Sequence, residues 1–194
     1  MTRIGIFCGR FSPPHNGHVA AARAFMEQMW LDILYVIPSP QTPMDAVSLS
    51  QRVQMCRFAF SDVEGVYVSD AARSESDLME IVGELEGPDR RLFLLCGTDE
   101  LLAMSERKNV KALFESVYPT YVRREPSDEV IDARVLACVQ SLHTRYGKMV
   151  RRILTPVKEI SSTDIRRSLQ QGDAVSQHLP ALVDLYIRDN HLYV

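Results

Sequence analysis

The sequence predicts an α/β protein with a Rossmann-like, doubly wound parallel sheet and helices on both faces of that sheet. Three short apolar runs, 4–8, 33–37 and 92–96, lack any polar alternation, as expected of strands that are buried on both faces. Segments with helical periodicity separate these runs, and such alternation is typical of parallel sheets. In this architecture ligands bind beyond the carboxyl ends of the strands, where the strand order reverses.

The first elements are a strand, a turn and a helix. Strand 4–8 is followed by a turn rich in glycine and proline and then by the helix-forming segment 19–26. Asn16 is the expected N-cap, because a short side-chain amide can accept from the unpaired N–H groups of a first helical turn. A second strand is expected at 33–37, and a loop at 39–47.

The later elements follow from the same two patterns. Apolar side chains that recur every three or four residues between 78 and 85 indicate one helix face, and the run 92–96 indicates another buried strand. The elements expected after the second strand are helix 48–59, strand 66–68, helix 74–85, strand 92–96, strand 117–122, helix 130–146, strand 153–154, a helix that begins near 162, and helix 181–188.

Length and composition indicate one ordinary globular domain over 1–194, with a C-terminal helical part from about 160. Apolar residues make up 46% of the chain and charged residues 24%, with a net charge of −3. The absence of a basic excess argues against a dedicated nucleic-acid binder. No apolar run approaches the ~20 residues that a membrane span needs, so neither nucleic acid nor membrane is an expected partner.

The four cysteines are Cys8, Cys56, Cys96 and Cys138, and no two of them form a C-x-x-C pair. This spacing favours neither a zinc site nor a disulfide framework. Buried free thiols in a reducing cytosol are therefore expected, and with them a cytoplasmic location.

The turn after the first strand reads G-R-F-S-P-P-H-N-G-H over residues 9–18. It places Gly17 and His18 in a first helical turn, where unpaired N–H groups and the helix dipole attract phosphate. His15 and His18 are three residues apart, so both rings can face one anion, and Gly9 allows close approach of the backbone. No G-x-x-x-x-G-K-[ST] occurs, which excludes a P-loop. Taken alone, two exposed histidines before an ordinary helix would give the same pattern.

A second helix start lies near the C-terminal end, in I-S-S-T-D-I-R over residues 160–166. Ser161, Ser162 and Thr163 offer N-cap hydroxyls, and Arg166 falls in the turn that follows. The planar fork of an arginine side chain suits phosphate oxygens. Taken alone, a plain helix cap beside a solvent-exposed arginine is the alternative.

The two motifs together resemble the H-x-G-H and I-S-S-T-x-I-R signatures of the nucleotidyltransferases that include nicotinate-nucleotide adenylyltransferase, pantetheine-phosphate adenylyltransferase and the cytidylyltransferases. Gly97-Thr98-Asp99 resembles the Gly-x-Asp of that family, whose acid lies near the nucleotide ribose. Residues 50–55, which contain Arg52, resemble its arginine-containing helix start, although a solvated helix residue is an equal reading of Arg52. Residues 179–193 are similar to the C-terminus of bacterial nicotinate-nucleotide adenylyltransferases.

The resemblance implies transfer of AMP from ATP to nicotinate or nicotinamide mononucleotide, with release of pyrophosphate, in NAD biosynthesis. It implies catalytic roles for His18 at the α-phosphate, His15 at neighbouring phosphates and Arg166 at the β/γ end. The nucleotide-binding residues that it implies are Gly9, Arg10, Phe11, Gly17, Gly97, Asp99, Ile160, Ser161, Ser162 and Thr163. No protein ligand for a metal is expected, since Mg²⁺ would bind mainly to the ATP phosphates and water.

Some positions depart from the nicotinate-nucleotide pattern. Ser12 replaces its usual aspartate, Arg10 gives a start more typical of nicotinamide-nucleotide enzymes, and residues 43–45 lack the histidine and lysine of its Pro-His-Lys loop. Two alternatives therefore stay open: transfer of a nucleotidyl group to a different phosphate or phosphonate acceptor, and a noncatalytic nucleotide-binding module. The expected partners are ATP and a mononucleotide or another phosphate-bearing small molecule, and self-association into a homo-oligomer is left open.

Overall fold

A computed structural model of the chain describes residues 1–40, 42, 46–69, 77–106, 110–123, 128–155 and 161–194. Within these residues a six-stranded sheet forms, and every pairing in it is parallel. Its strands are β1 (Thr2–Gly9), β2 (Ile33–Pro38), β3 (Val66–Val68), β4 (Arg90–Gly97), β5 (Val117–Val122) and β6 (Arg151–Ile153). The helices are α1 (Asn16–Met29), α2 (Leu49–Ala59), α3 (Asp77–Leu85), α4 (Thr98–Glu106), α5 (Val110–Ser116), α6 (Glu129–Tyr146), α7 (Ser162–Gln171) and α8 (Ala181–Asp189), with a 3₁₀ turn at Ser176–His178.

The strand order is β3-β2-β1-β4-β5-β6, which confirms the predicted doubly wound sheet. The chain builds outward from β1 through β2 to β3, then returns to the other side of β1 and builds outward through β4 to β6. The order therefore reverses between β1 and β4, whose carboxyl ends are Gly9 and Gly97. In a sheet of this kind a ligand is expected to bind beyond the strand ends at this reversal point.

Helices cover both faces of the sheet, as predicted. Two apolar cores share the sheet between them, and neighbouring residues of β1 enter different cores: Phe7 packs with α1, α2, α7 and α8, and Ile6 packs with α3 to α6. Ile6 is completely buried and Phe7 nearly so. This double burial explains the uninterrupted apolar runs from which the strands were predicted.

Most predicted elements are confirmed, with ends shifted by a few residues. Strand 153–154 is wrong at its end, because β6 stops at Ile153 and Leu154 instead meets the side-chain amide of Gln28. That amide accepts from the backbone N–H of Leu154 at 3.0 Å and donates to its carbonyl at 2.6 Å, so it replaces a neighbouring strand at this point. The predicted helix starts at 74–76 and most of the loop 39–47, including 43–45, lie outside the described residues.

Two helices, α4 and α5, were not predicted. Helix α4 begins at Thr98, directly after the last residue of β4, so no turn signal separates the two elements. Asp99 and Glu100 stand in its first turn, where their negative charge is favourable at the positive end of the helix dipole. The assignment of residues 1–194 to one domain stays a prediction. Among the helices that the structure describes, none is long and apolar enough to cross a membrane.

Candidate active site

Helix α1 starts at the first motif, and its N-cap is His15. The expected N-cap, Asn16, is wrong: Asn16 is already the first helical residue, and its amide donates to the carbonyl of Gln177 at 3.2 Å. His15 acts as the cap because its Nδ1 accepts from the backbone N–H of Gly17 at 3.1 Å, as a side-chain oxygen would. The backbone N–H of His15 donates to Nδ1 of His18 at 3.2 Å, which completes a capping box made of two imidazoles.

These two hydrogen bonds indicate which nitrogen carries the proton in the neutral form of each ring. An Nδ1 atom that accepts a hydrogen bond carries no proton, so the proton of each neutral imidazole lies on Nε2. The ring centroids of His15 and His18 are 3.8 Å apart. His15 is completely buried, whereas His18 is partly exposed. His18 is therefore the histidine that can reach a ligand in this structure, and His15 lies behind it.

The ring of Phe11 packs against other residues of this loop. Its side chain is buried, and its ring meets His18 edge-on with the centroids 4.9 Å apart. The Phe11 backbone lies in the left-handed region, with φ of 46°, which residues other than glycine rarely adopt. A Cβ atom on Gly9 would lie 3.0 Å from the Phe11 ring, which explains the need for glycine there. The Phe11 ring thus packs inside the loop, whereas the side chain of Arg10 is exposed.

Helix α7 docks its first turn onto the same loop. The hydroxyl of Ser162 donates to the carbonyl of Pro13 at 3.0 Å. The Nη1 atom of Arg166 donates to the carbonyl of Ser12 at 2.7 Å. These residues are about 150 positions apart in sequence, so the contacts are tertiary. The starts of α1 and α7 therefore meet at one place, as the sharing of one polyanion by two helix N-termini requires.

Three side chains at the start of α7 form hydrogen bonds with one another or with the backbone of this turn. Ser161 is its N-cap and accepts from the backbone N–H of Thr163 at 3.1 Å. The hydroxyl of Thr163 accepts from Nη2 of Arg166 at 3.1 Å. Arg166 is half-buried and holds two oxygens at once, so the reading of a solvent-exposed arginine is wrong for it. Arg167 is the exposed arginine, with a surface ion pair to Asp164 at 3.3 Å.

Arg52 adds a third attachment to the loop. It is completely buried near the start of α2, and its Nη1 donates to the carbonyl of Arg10 at 2.8 Å. The reading of Arg52 as a solvated helix residue is therefore wrong. A buried guanidinium needs hydrogen-bonding partners, and its charge adds positive potential below the loop.

Two further predicted residues, Gly97 and Asp99, lie at the same edge of the sheet. Gly97 ends β4 beside β1, and Asp99 is exposed in the first turn of α4. Because α4 covers the opposite face of the sheet from α1, Asp99 and His18 lie on the two sides of the reversal point. Ile160 lies outside the described residues.

One residue of this site was missed as a site residue in the sequence, namely Tyr193. Its hydroxyl lies 3.0 Å from the hydroxyl of Ser12, and both side chains are buried. Burial raises the pKa of Tyr193 to about 12, against the opposing effects of the Ser12 hydrogen bond and the nearby charges of Arg166 and Arg52. The one feature of the sequence that could have indicated burial of Tyr193 is its position next to the apolar Leu192, near the end of the sequence.

Comparison with known proteins gives a consistent picture. A cytidylyltransferase-like family profile matches residues 6–168. A probable nicotinate-nucleotide adenylyltransferase of Neisseria meningitidis serogroup B is 31% identical, and the alignment covers 100% of this chain and 99% of that protein. Another probable nicotinate-nucleotide adenylyltransferase, from Klebsiella pneumoniae, is 27% identical, and the alignment covers 100% of this chain and 98% of that protein.

A solved structure shows the same fold. The structure of Plasmodium falciparum nicotinic acid mononucleotide adenylyltransferase complexed with NaAD has a TM-score of 0.74 at 17% identity, and the match covers 100% of this chain and 98% of that one. The structural similarity thus extends over the whole of this chain and nearly the whole of the Plasmodium protein. The chain therefore belongs to the cytidylyltransferase-like family and, within it, to the nicotinate-nucleotide adenylyltransferases.

Proposed function

We propose that the protein transfers the adenylyl group of ATP to the phosphate of nicotinate mononucleotide and releases pyrophosphate. The observation that carries this proposal is the meeting of two helix starts, seen in the bonds from Ser162 to Pro13 and from Arg166 to Ser12. Two helix N-termini with imidazole and guanidinium donors suit a triphosphate. The relatives align with the whole chain, and we take the proposed acceptor, nicotinate mononucleotide, from their names.

The reaction needs alignment and charge neutralisation. A phosphate oxygen of the mononucleotide attacks the α-phosphorus of ATP, a new P–O bond forms, and the bond from the α-phosphorus to the bridging oxygen breaks. A phosphate monoester has a second pKa of ~6, so it is mostly dianionic at neutral pH and needs no general base. The protein then lowers the barrier by holding the reactants in line and by stabilising the charge on the phosphate oxygens.

Each donor has a role that its contacts suggest. His18 donates through Nε2–H to the α-phosphate, because its Nδ1 is occupied by the backbone N–H of His15. His15 caps α1 and supports the His18 ring, so its role is to orient rather than to contact the neighbouring phosphates. Arg166 binds the β/γ end. Thr163 can donate its hydroxyl proton to a phosphate while it accepts from Arg166.

Ser162 was expected to hold a phosphate oxygen through either its hydroxyl or its backbone N–H. Its hydroxyl donates to the carbonyl of Pro13, so the contact that we propose with phosphate is through its backbone N–H. Gly9, Arg10 and Gly17 serve through the shape of the loop and through backbone groups.

We propose MgATP as the form in which the nucleotide binds. The donors that meet at the two helix starts are imidazole, guanidinium and hydroxyl groups, which suit phosphate oxygens better than a metal ion. Among the described residues no cluster of three histidine, cysteine, aspartate or glutamate side chains could hold a metal. The ligands that we propose for Mg²⁺ are the phosphate oxygens and water, which suit its octahedral preference. We also propose a cytoplasmic location, which the four free cysteines support.

The test is pyrophosphate release with ATP or with CTP and a panel of acceptors: nicotinate mononucleotide, nicotinamide mononucleotide and phosphopantetheine. We expect the highest kcat/KM with nicotinate mononucleotide, together with formation of the matching dinucleotide. A clear preference for another acceptor, or for CTP over ATP, would overturn the acceptor or the nucleotide in this proposal. ATP binding without pyrophosphate release from any acceptor would instead support a noncatalytic module.

A further inference from the structure

The end of the chain folds back into the candidate site. After α8, Leu192 and Tyr193 are both buried, and the backbone N–H of Leu192 donates to the carbonyl of Ile187 at 3.0 Å. His191 and Tyr193 have φ values of 50° and 66°. A left-handed backbone is unfavourable for residues with a Cβ atom, and it persists only where the surroundings impose it. The burial of Leu192 and Tyr193 thus keeps this tail in one defined position.

The Tyr193 hydroxyl reaches the same residue that anchors Arg166. The Ser12 hydroxyl lies 3.0 Å from the Tyr193 hydroxyl, and the Ser12 carbonyl accepts from Nη1 of Arg166 at 2.7 Å. The next carbonyl, that of Pro13, accepts from Ser162. A change in the position of Ser12 would therefore move the guanidinium that we place on the β/γ phosphates.

We propose that Tyr193 is a positioning residue for ATP: its hydroxyl fixes Ser12, and Ser12 in turn holds Arg166 and the loop before His15 in the geometry that binds the triphosphate. This inference rests on the proposed function, and it assigns a part in the reaction to a side chain that does not touch substrate. The hydroxyl acts on the ATP side of the site, so its loss affects ATP and leaves the affinity for the acceptor unchanged.

A purely structural role of Tyr193 predicts something different. If the ring only fills space, removal of the hydroxyl leaves the kinetics unchanged, because the ring of a phenylalanine packs in the same volume. The matched control is Tyr186→Phe. Tyr186 is on α8, is half-buried against the ring of Phe58 at 5.5 Å, and has no hydroxyl hydrogen bond among the described residues.

The experiment measures ATP dissociation in the absence of acceptor, then kcat and the KM of each substrate, for Tyr193→Phe, Ser12→Ala, the double variant and Tyr186→Phe. We expect kcat/KM for ATP to fall about threefold to tenfold in Tyr193→Phe, as for loss of one hydrogen bond. We expect an unchanged acceptor KM, wild-type values for Tyr186→Phe, and a double variant no worse than the worse single variant, since both lose the same bond.

Wild-type ATP parameters in Tyr193→Phe, an equal rise in acceptor KM, or additive losses in the double variant would each overturn the proposal. Thermal unfolding of each variant is measured in parallel, so a loss of folded protein is recognised. If the wild-type protein transfers no adenylyl group to any acceptor, the proposed function fails. The ATP dissociation constants then decide the positioning role alone: a threefold or greater weakening in Tyr193→Phe supports it, and an unchanged value overturns it.

Discussion

Replacement of Arg166 by alanine tests the proposed triphosphate site, and the neighbouring arginine provides a matched control. Arg166 is half-buried and bonds to the carbonyl of Ser12 at 2.7 Å and to the hydroxyl of Thr163 at 3.1 Å. Arg167 carries the same guanidinium group but is exposed. Its side chain is 65% exposed, and that of Asp164, its ion-pair partner, is 68% exposed. The two variants remove the same charge from the same helix, so they differ only in what the guanidinium contacts.

The expected magnitudes follow from these contacts. A hydrogen bond from a charged donor contributes about 1.5–3 kcal/mol, so Arg166→Ala should lower the free energy of unfolding within that range. Loss of one preorganised donor to transition-state charge costs about 2.7–4 kcal/mol, which corresponds to a ~10²–10³-fold lower kcat. Arg166→Lys keeps the charge but cannot bridge both oxygens, so we expect it to fall between wild type and alanine. An exposed ion pair contributes about 0–1 kcal/mol, so Arg167→Ala should resemble wild type.

The assay is pyrophosphate release at saturating ATP and acceptor, with urea unfolding of each variant in parallel. The reasoning predicts a large loss of kcat in Arg166→Ala from protein that is still folded at the assay temperature. It is refuted if Arg166→Ala and Arg167→Ala lose activity equally, or if Arg166→Ala loses stability without any loss of kcat per folded molecule.

Three further predictions concern the histidine, the loop and alkaline pH. His18→Ala should lower kcat by at least ~10²-fold, while loss of the bond that its Nδ1 accepts from His15 should lower the melting temperature by only about 2–4 °C; near-normal turnover would contradict its role at the α-phosphate. Gly9→Ala should destabilise the fold by about 1–3 kcal/mol in urea unfolding, because its Cβ would lie 3.0 Å from a buried ring, whereas Gly83→Ala meets nothing within 4 Å and should be neutral or stabilising. Burial raises the pKa of the Cys56 and Cys96 thiols, and it raises the pKa of Tyr193 to about 12, so the folded state keeps protons that the unfolded chain loses above ~8.5 for cysteine and ~10 for tyrosine. The free energy of unfolding should therefore fall as pH rises above ~8.5, by up to about 1.4 kcal/mol per pH unit for each such group, and a flat profile to pH 10.5 would contradict this.

The local parts of the fold and site were readable from sequence. Strand β1, the turn after it and the start of α7 are each specified by residues within a few positions of one another, so apolar runs and capping hydroxyls suffice to find them. His15 was missed as the N-cap because imidazole is not among the usual capping groups, although its Nδ1 accepts in the same way. Helix α4 was missed because it starts at Thr98, directly after β4, with no turn signal between the two elements.

The tertiary contacts that assemble the site could not be predicted from the sequence. Ser12 and Tyr193 are 181 positions apart, and Ser12 and Arg166 are 154 apart, so no periodicity in the sequence reports their meeting. The burial of Arg52 was equally hidden, since its charge predicts exposure, whereas in the structure its guanidinium donates to the distant loop carbonyl of Arg10. A parallel sheet brings distant strand ends together, and the residues that join them are specified by tertiary packing.

A crystal structure with a nonhydrolysable ATP analogue and Mg²⁺ tests most directly whether the starts of α1 and α7 bind one triphosphate. We predict that His18 contacts the α-phosphate and that Thr163 and Arg166 contact the β- and γ-phosphates of the same molecule. Phosphates that contact only one of the two helix starts, or that bind elsewhere on the protein, would contradict this account.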